Sequence, residues 1–242
     1  MNVFLLPFVL ALHAEPQAII LGGGKAPEDA VAWEKRWKAV EPILAGMVAL
    51  AEGYPRRNAS QDVAGLKAGF HVVLLGFCSA EELIPRLEIL KSVYPGVYAR
   101  PVEKDVPGAC PTLIDEASVV QSRTLSKDGQ RLVVTIYDQR PKKKEPDAAP
   151  TLRSTVLALL FDKSEMLAVH EKEDVDYDYK CHLGLVGNRA RVILDQSCEA
   201  IDWSCGGGLE SFATRTSYAI HGSSIARDER TISEKGNPEC DQ

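Results

Sequence analysis

The sequence predicts an α+β protein: an N-terminal βαββαβ layer, with an antiparallel sheet carrying helices on one face, followed by an antiparallel all-β domain of meander or barrel-like form. Three observations predict it. An apolar strand running into glycine and then an amphipathic helix occurs twice, at Ala18-Ile-Ile-Leu-Gly-Gly-Gly24 and at Phe70-His-Val-Val-Leu-Leu-Gly-Phe-Cys78. After Pro107-Gly-Ala-Cys-Pro111 this βα alternation gives way to short strands and polar turns. The chain has 242 residues and is 45% apolar, enough to bury a sizeable core. The expected boundaries are 1–14 for a leader, 15–108 for the βαββαβ layer and 109–242 for the β-rich domain.

Each element has a local reason. Gly22 to Gly24 read as the turn out of the first strand, Pro27 suits a first helical turn, and Glu28 and Asp29 stand where the helix dipole favours negative charge. Ala30, Trp33, Trp37 and Val40 then recur at helical spacing, and Pro42 is expected to end or kink that helix. Ser79 and Glu82 form a capping box for a second helix over Ala80 to Val93, stopped by Pro95-Gly96. Val97 to Val102 reads as a closing strand, at an edge because of Pro101. In the second half, Val119 to Leu125 and Gln130 to Asp138 flank Asp128-Gly129, a hairpin signal. Leu152 to Phe161, Met166 to Glu171, Arg189 to Leu194, Thr214 to Ile220 and Ile225 to Thr231 continue as strands, and 140–150 reads as a solvated hairpin loop.

Charge and cysteine usage bound the setting. The net charge of −6 shows no basic stripe of the kind that neutralises phosphates, so no nucleic-acid partner is expected. Residues Met1 to Ala14 contain a short apolar run, end in a small residue and are followed by Glu15-Pro16; they look like a secretory signal peptide, too short for a membrane span. A periplasmic or secreted location follows. Six cysteines, none in a C-x-x-C pair, favour disulfides over zinc in such a compartment. Six cysteines permit 15 complete pairings; the expectation is Cys78 with Cys110, and a bridge among Cys181, Cys198 and Cys205.

Reactive patterns are sparse. Lys25 after three glycines lacks the G-x-x-x-x-G-K-[ST] spacing of a phosphate loop. Asp174, Asp176 and Asp178 alternate along an extended segment, an oxygen-rich row that is the weak metal candidate of the chain; glycine and glutamate are missing where a calcium loop needs them, and a charged edge strand is the expectation. The five histidines form no H-E-x-x-H, and neither G-x-S-x-G nor S-x-x-K occurs. No cofactor and no enzyme activity are expected.

The stretch Val63-Ala-Gly-Leu-Lys-Ala-Gly-Phe-His-Val-Val-Leu-Leu-Gly-Phe-Cys78, the helix from Ala80 to Val93 and the strand Val97-Tyr-Ala-Arg100 resemble the second half of the sporulation-related repeat (SPOR) domains of bacterial envelope proteins. The likeness covers about Gln17 to Glu103, and the C-terminal half resembles no family. It implies a βαββαβ fold whose open sheet face binds peptidoglycan glycan strands lacking stem peptides. Uncharged sugars are held by stacking and hydrogen bonds, so His71, Tyr98 and Arg100 on the expected strands are the candidate ligand residues. The leading expectation is a noncatalytic envelope protein binding glycan. One alternative is a protein-interaction or inhibitor module that engages another envelope protein through the acidic strand near Asp174 to Tyr179. The other is a hydrolase whose catalytic residues meet only in the fold.

Overall fold

A computed structural model describes residues 15–103, 109–140, 153–175, 179–200 and 209–236. The N-terminal sheet has the order β3-β4-β1-β5, from β1 (Gln17–Gly24), β3 (Arg56–Ala59), β4 (His71–Cys78) and β5 (Tyr98–Pro101), all antiparallel. Helices α1 (Pro27–Leu44) and α2 (Ala80–Val93) pack on one of its faces. A two-stranded ribbon of β2 (Val48–Ala49) and β6 (Thr112–Leu113) ties the segment after α1 to the start of the second half.

The second half holds two further four-stranded meanders. One joins β7 (Ser118–Lys127), β8 (Gln130–Gln139), β9 (Arg153–Asp162) and β10 (Glu165–Val175). The other joins β11 (Tyr179–Gly187), β12 (Val192–Ala200), β13 (Leu209–His221) and β14 (Ser224–Gly236).

These parts stack in layers. One buried cluster contains Ile19, Leu21, Val73 and Leu75 of the N-terminal sheet, Trp37, Val40, Ile89 and Leu90 of the helices, and Val133, Tyr137, Leu157, Leu159 and Phe161 of β8 and β9. The helices therefore lie between two sheets. A second cluster sets Leu132, Val134, Ile136, Val156, Ala158 and Leu160 of the middle sheet against Leu185, Val192, Leu194 and Tyr218 of the outer one. Strands β8 and β9 are covered on both faces, which is why their sequences are nearly unbroken apolar runs. Strand β12 alternates buried and more exposed positions, since its other face meets solvent. Each large aliphatic side chain buried in these clusters contributes about 1.5–3 kcal/mol.

The α+β class expected from the sequence is corrected by this architecture. Strands hold 57% of the described residues and helix 20%, in four antiparallel sheets with only two α-helices, so the protein is mainly β. The two helical stripes do form helices, but eight long strands outweigh them, and those strands make two facing sheets rather than one barrel-like meander. The middle sheet shares its buried cluster with the helices.

The glycine triplet also differs from expectation: Gly22 to Gly24 belong to β1 and form no turn. A side chain at Gly22 would run into the Trp33 indole, and one at Gly24 into Asp29, so the glycines let α1 settle against the strand. Helix α1 continues past Pro42 to Leu44. At its start the Asp29 carboxylate accepts from Ala26 N–H at 3.1 Å, and at α2 the Ser79–Glu82 capping box is present.

Candidate functional site

Strand β5 lies at the edge of the N-terminal sheet, with Tyr98 opposite Ile20 and Arg100 opposite Ala18 of β1. Residues directly opposite in an antiparallel pair project to the same face. Ala18 and Ile20 belong to the cluster on the side away from the helices, so Tyr98 and Arg100 share that side. They are two residues apart on one strand, and the Arg100 guanidinium carbon stands 5.4 Å from the Tyr98 ring centroid. Tyr98 is 38% exposed and Arg100 is exposed, so a ring, a hydroxyl and a fork of N–H donors are offered together.

His71 is not brought to this pair. It stands opposite Gly24 and is in phase along β4 with Val73 and Leu75, which face the helices, so it lies on the helix side, the face opposite Tyr98 and Arg100. Nor is the helix-free face the uncovered surface that the sequence suggests. Tyr54, Val63, Leu66, Val102 and Ala109 pack over Ala18, Ile20, Val72 and Leu74, leaving the β5 edge as the accessible part of the Tyr98 side. The covering segment is held by Phe77 N–H donating to Ala109 O at 3.0 Å, Glu103 N–H to Ala64 O at 3.1 Å and the Cys78–Cys110 disulfide.

The second disulfide joins Cys181 and Cys198, which are directly opposite on β11 and β12. Both bridges agree with the expected pairings, and both fit an oxidising compartment. Cys205 and Cys240 lie outside the described residues, as do Asp176, Asp178 and residues 1–14, where a leader is expected; Asp174 stands on β10 opposite Ser154. Among the described residues no group of three or more metal-ligating side chains converges, and no helix is long and apolar enough to cross a membrane.

His182 and Ser197 are opposite each other on the outward face of the outer sheet, but the neighbouring carboxylate of Asp195 is held by Arg215 at 2.6 and 3.1 Å. His170 instead bridges layers: its Nε2 lies 3.1 Å from an Arg227 nitrogen and its ring 5.8 Å from that of Tyr218.

A constellation that sequence reasoning missed stands where the helices meet the middle sheet. The Arg36 guanidinium lies 4.7 Å over the Trp33 ring, Trp33 meets Tyr94 edge-on at 6.1 Å, Tyr94 meets Phe161 at 5.7 Å, and Arg131 lies 4.7 Å over Phe161. Arg131 donates to Val93 O at 3.1 Å, and Tyr94 OH donates to Arg36 O at 2.9 Å. Burial pushes the Tyr94 hydroxyl up to about 12, against the pull of both guanidiniums, and burial lowers the Arg131 pKa. These residues come from α1, from the end of α2 and from β8 and β9, so no local spacing announces them. Trp33 and Trp37, read from helical spacing as core, were the one visible signal; Trp37 is buried and Trp33 only partly so.

Comparison with known protein families, characterised proteins and solved structures finds no match for this chain.

Proposed function

We propose that this chain is a noncatalytic, periplasmic or secreted bacterial protein that holds peptidoglycan glycan at the β5 edge, with Tyr98 as the stacking ring and Arg100 as the hydrogen-bond fork. The observation that carries the reading is the exposed Tyr98–Arg100 pair, because a sugar ring needs an aromatic face and fixed donors side by side. The SPOR-like sequence between residues 63 and 100 supports the choice of glycan, and the two disulfides support an oxidising compartment. His71 has no part in it, since it stands on the other face of the sheet.

The test is cosedimentation of the full chain, disulfides intact, with amidase-treated, peptide-free sacculi. The protein should pellet saturably, and Tyr98→Ala with Arg100→Ala should weaken binding by about tenfold or more, the equivalent of ~1.4 kcal/mol. Circular dichroism establishes that the double variant is folded. No pelleting, or equal pelleting by the folded double variant, overturns the reading.

A further inference from the structure

We propose that β14 is a self-pairing edge: two copies of the chain join antiparallel along this strand, with a two-fold axis at Ile232, and extend the outer sheet from its four strands into a sheet continuous across both copies. The glycan reading does not bear on it, since β14 and β5 belong to different sheets.

Three observations lead to it. First, β14 is a long, open edge. It pairs only with β13 among the described residues, and every residue from Asp228 to Gly236 is exposed. The two edges of the N-terminal sheet, β3 and β5, are 4 residues each, whereas β14 has 13. A long edge presents a row of backbone donors and acceptors ready for another strand. The opposite edge of the outer sheet, β11, is treated differently, because the Gln121 amide takes both backbone groups of Leu185.

Second, Ile232 is an apolar residue with no neighbour across the ladder. It is 52% exposed, and the register shift between Thr231 and Ser233 leaves it opposite no residue of β13. A two-fold axis there sets bulge against bulge and Ile232 against its own copy, so each covers the other's apolar surface.

Third, the charges are self-complementary in that register. With Ile232 opposite Ile232, Arg230 meets Glu234 and Glu229 meets Lys235 of the second copy. Each pair occurs twice by symmetry, and no like charges stand opposite each other. Other registers do worse: an axis between Asp228 and Glu229 sets Arg227 on Arg230, and an axis at Thr231 sets Asp228 on Glu234 and Arg227 on Lys235. From Arg227 to Lys235 the strand is neutral, with Arg227, Arg230 and Lys235 balancing Asp228, Glu229 and Glu234, so the chain's net charge of −6 is not concentrated on this edge. Lys235 already holds Glu210 of β13 at 2.7 Å, and an ammonium has donors enough for both carboxylates.

The experiment is sedimentation equilibrium of the full-length, disulfide-bonded protein at concentrations up to about 1 mM, with hydrogen exchange of the β14 amides as a second readout. The mass should rise toward twice that of the monomer, and β14 amides should gain protection as it does. Raising sodium chloride from about 50 mM to about 500 mM should weaken association by about tenfold, because exposed ion pairs are screened. Arg230→Glu and Glu234→Arg each set like charges opposite one another and should each weaken association by about tenfold or more. The two substitutions combined restore opposite charges and should recover it. Ile232→Lys places two ammoniums at the axis and should weaken association at least as much. All three positions are exposed, so the variants should keep the circular dichroism of the parent. A monomer at every concentration, which leaves the edge to a strand of another protein or to another segment of this chain, overturns the proposal. So does a dimer that survives both Arg230→Glu and Ile232→Lys, or a combined charge swap that recovers nothing.

Discussion

Tyr137 sits fully buried between the helices and the middle sheet, its hydroxyl in contact with the Ser92 hydroxyl of α2, which also donates to Ile89 O at 2.6 Å. Replacing it by phenylalanine keeps the ring and leaves Ser92 a partner, so Tyr137→Phe should cost about 1 kcal/mol, read as a shift of the denaturant midpoint at constant slope. Tyr137 also belongs to a set with a collective signature: burial pushes the hydroxyls of Tyr94, Tyr137 and Tyr218 up to about 12 from the ordinary 10. Because the folded values lie above the unfolded ones, the unfolded chain releases these protons first as pH rises. The stability they carry is complete below about pH 10 and is lost between about pH 10 and 12, by roughly 2–3 kcal/mol for each tyrosine. Equilibrium unfolding across that range, followed together with phenolate absorbance, checks it; a flat stability profile would contradict the burial of these hydroxyls. At this scale the sequence singled out Tyr98 and Arg100, which do lie together, but their partner His71 was assigned without knowledge of register. A strand's period of two residues places side chains on faces, and which face is solvent depends on pairing.

Element by element, local chemistry was most readable where a segment carries its own stop signals. The capping box of α2 and the Asp128–Gly129 hairpin, both residues at positive φ, stand where their chemistry puts them. Strands β11 and β12 were less readable: Tyr179–Gly187 mixes charged, small and apolar residues because one of its faces meets solvent, and its pairing comes from the neighbour it finds. Glycine in β4 illustrates the same dependence. Gly76 sits at a register shift opposite Ile19, and a Cβ there would collide with the Ala109 carbonyl oxygen of the segment that carries Cys110. Gly76→Ala should therefore destabilise by about 2–3 kcal/mol, as overpacking against backbone does. Gly46→Ala, where an added methyl meets open space, is the control and should stay within about 0.5 kcal/mol. Equal midpoints for the two variants would show that the 109–111 segment does not press on β4.

For the whole molecule, the layers and the two bridges belong together. Side-chain hydrogen bonds stitch the layers: the Gln121 amide donates to Leu185 O at 2.9 Å and accepts from Leu185 N–H at 2.7 Å, closing the seam between the middle and outer sheets. The Cys78–Cys110 bridge, with its sequence separation of 32, pins the cover of the N-terminal sheet to β4. Removing it by Cys78→Ser with Cys110→Ser should cost about 3–4 kcal/mol, chiefly by freeing the unfolded chain. Peptide mapping without reductant should recover the 78–110 and 181–198 cross-links, and free thiols at these positions in the native protein would refute them.

By itself the sequence determined the two helices and several of the strands, because capping, turn chemistry and side-chain period act over a few residues, whereas it left the second bridge open among Cys181, Cys198 and Cys205 and the fold pairs Cys181 with Cys198. Tertiary structure alone decided the mainly β class, the burial of the helices between two sheets, the covering of the face opposite them and the meeting of Trp33, Tyr94 and Phe161. Those outcomes depend on which apolar faces find each other across long stretches of chain, and burial of that kind is non-directional: it rewards any close-packed pairing and leaves no mark at a single position.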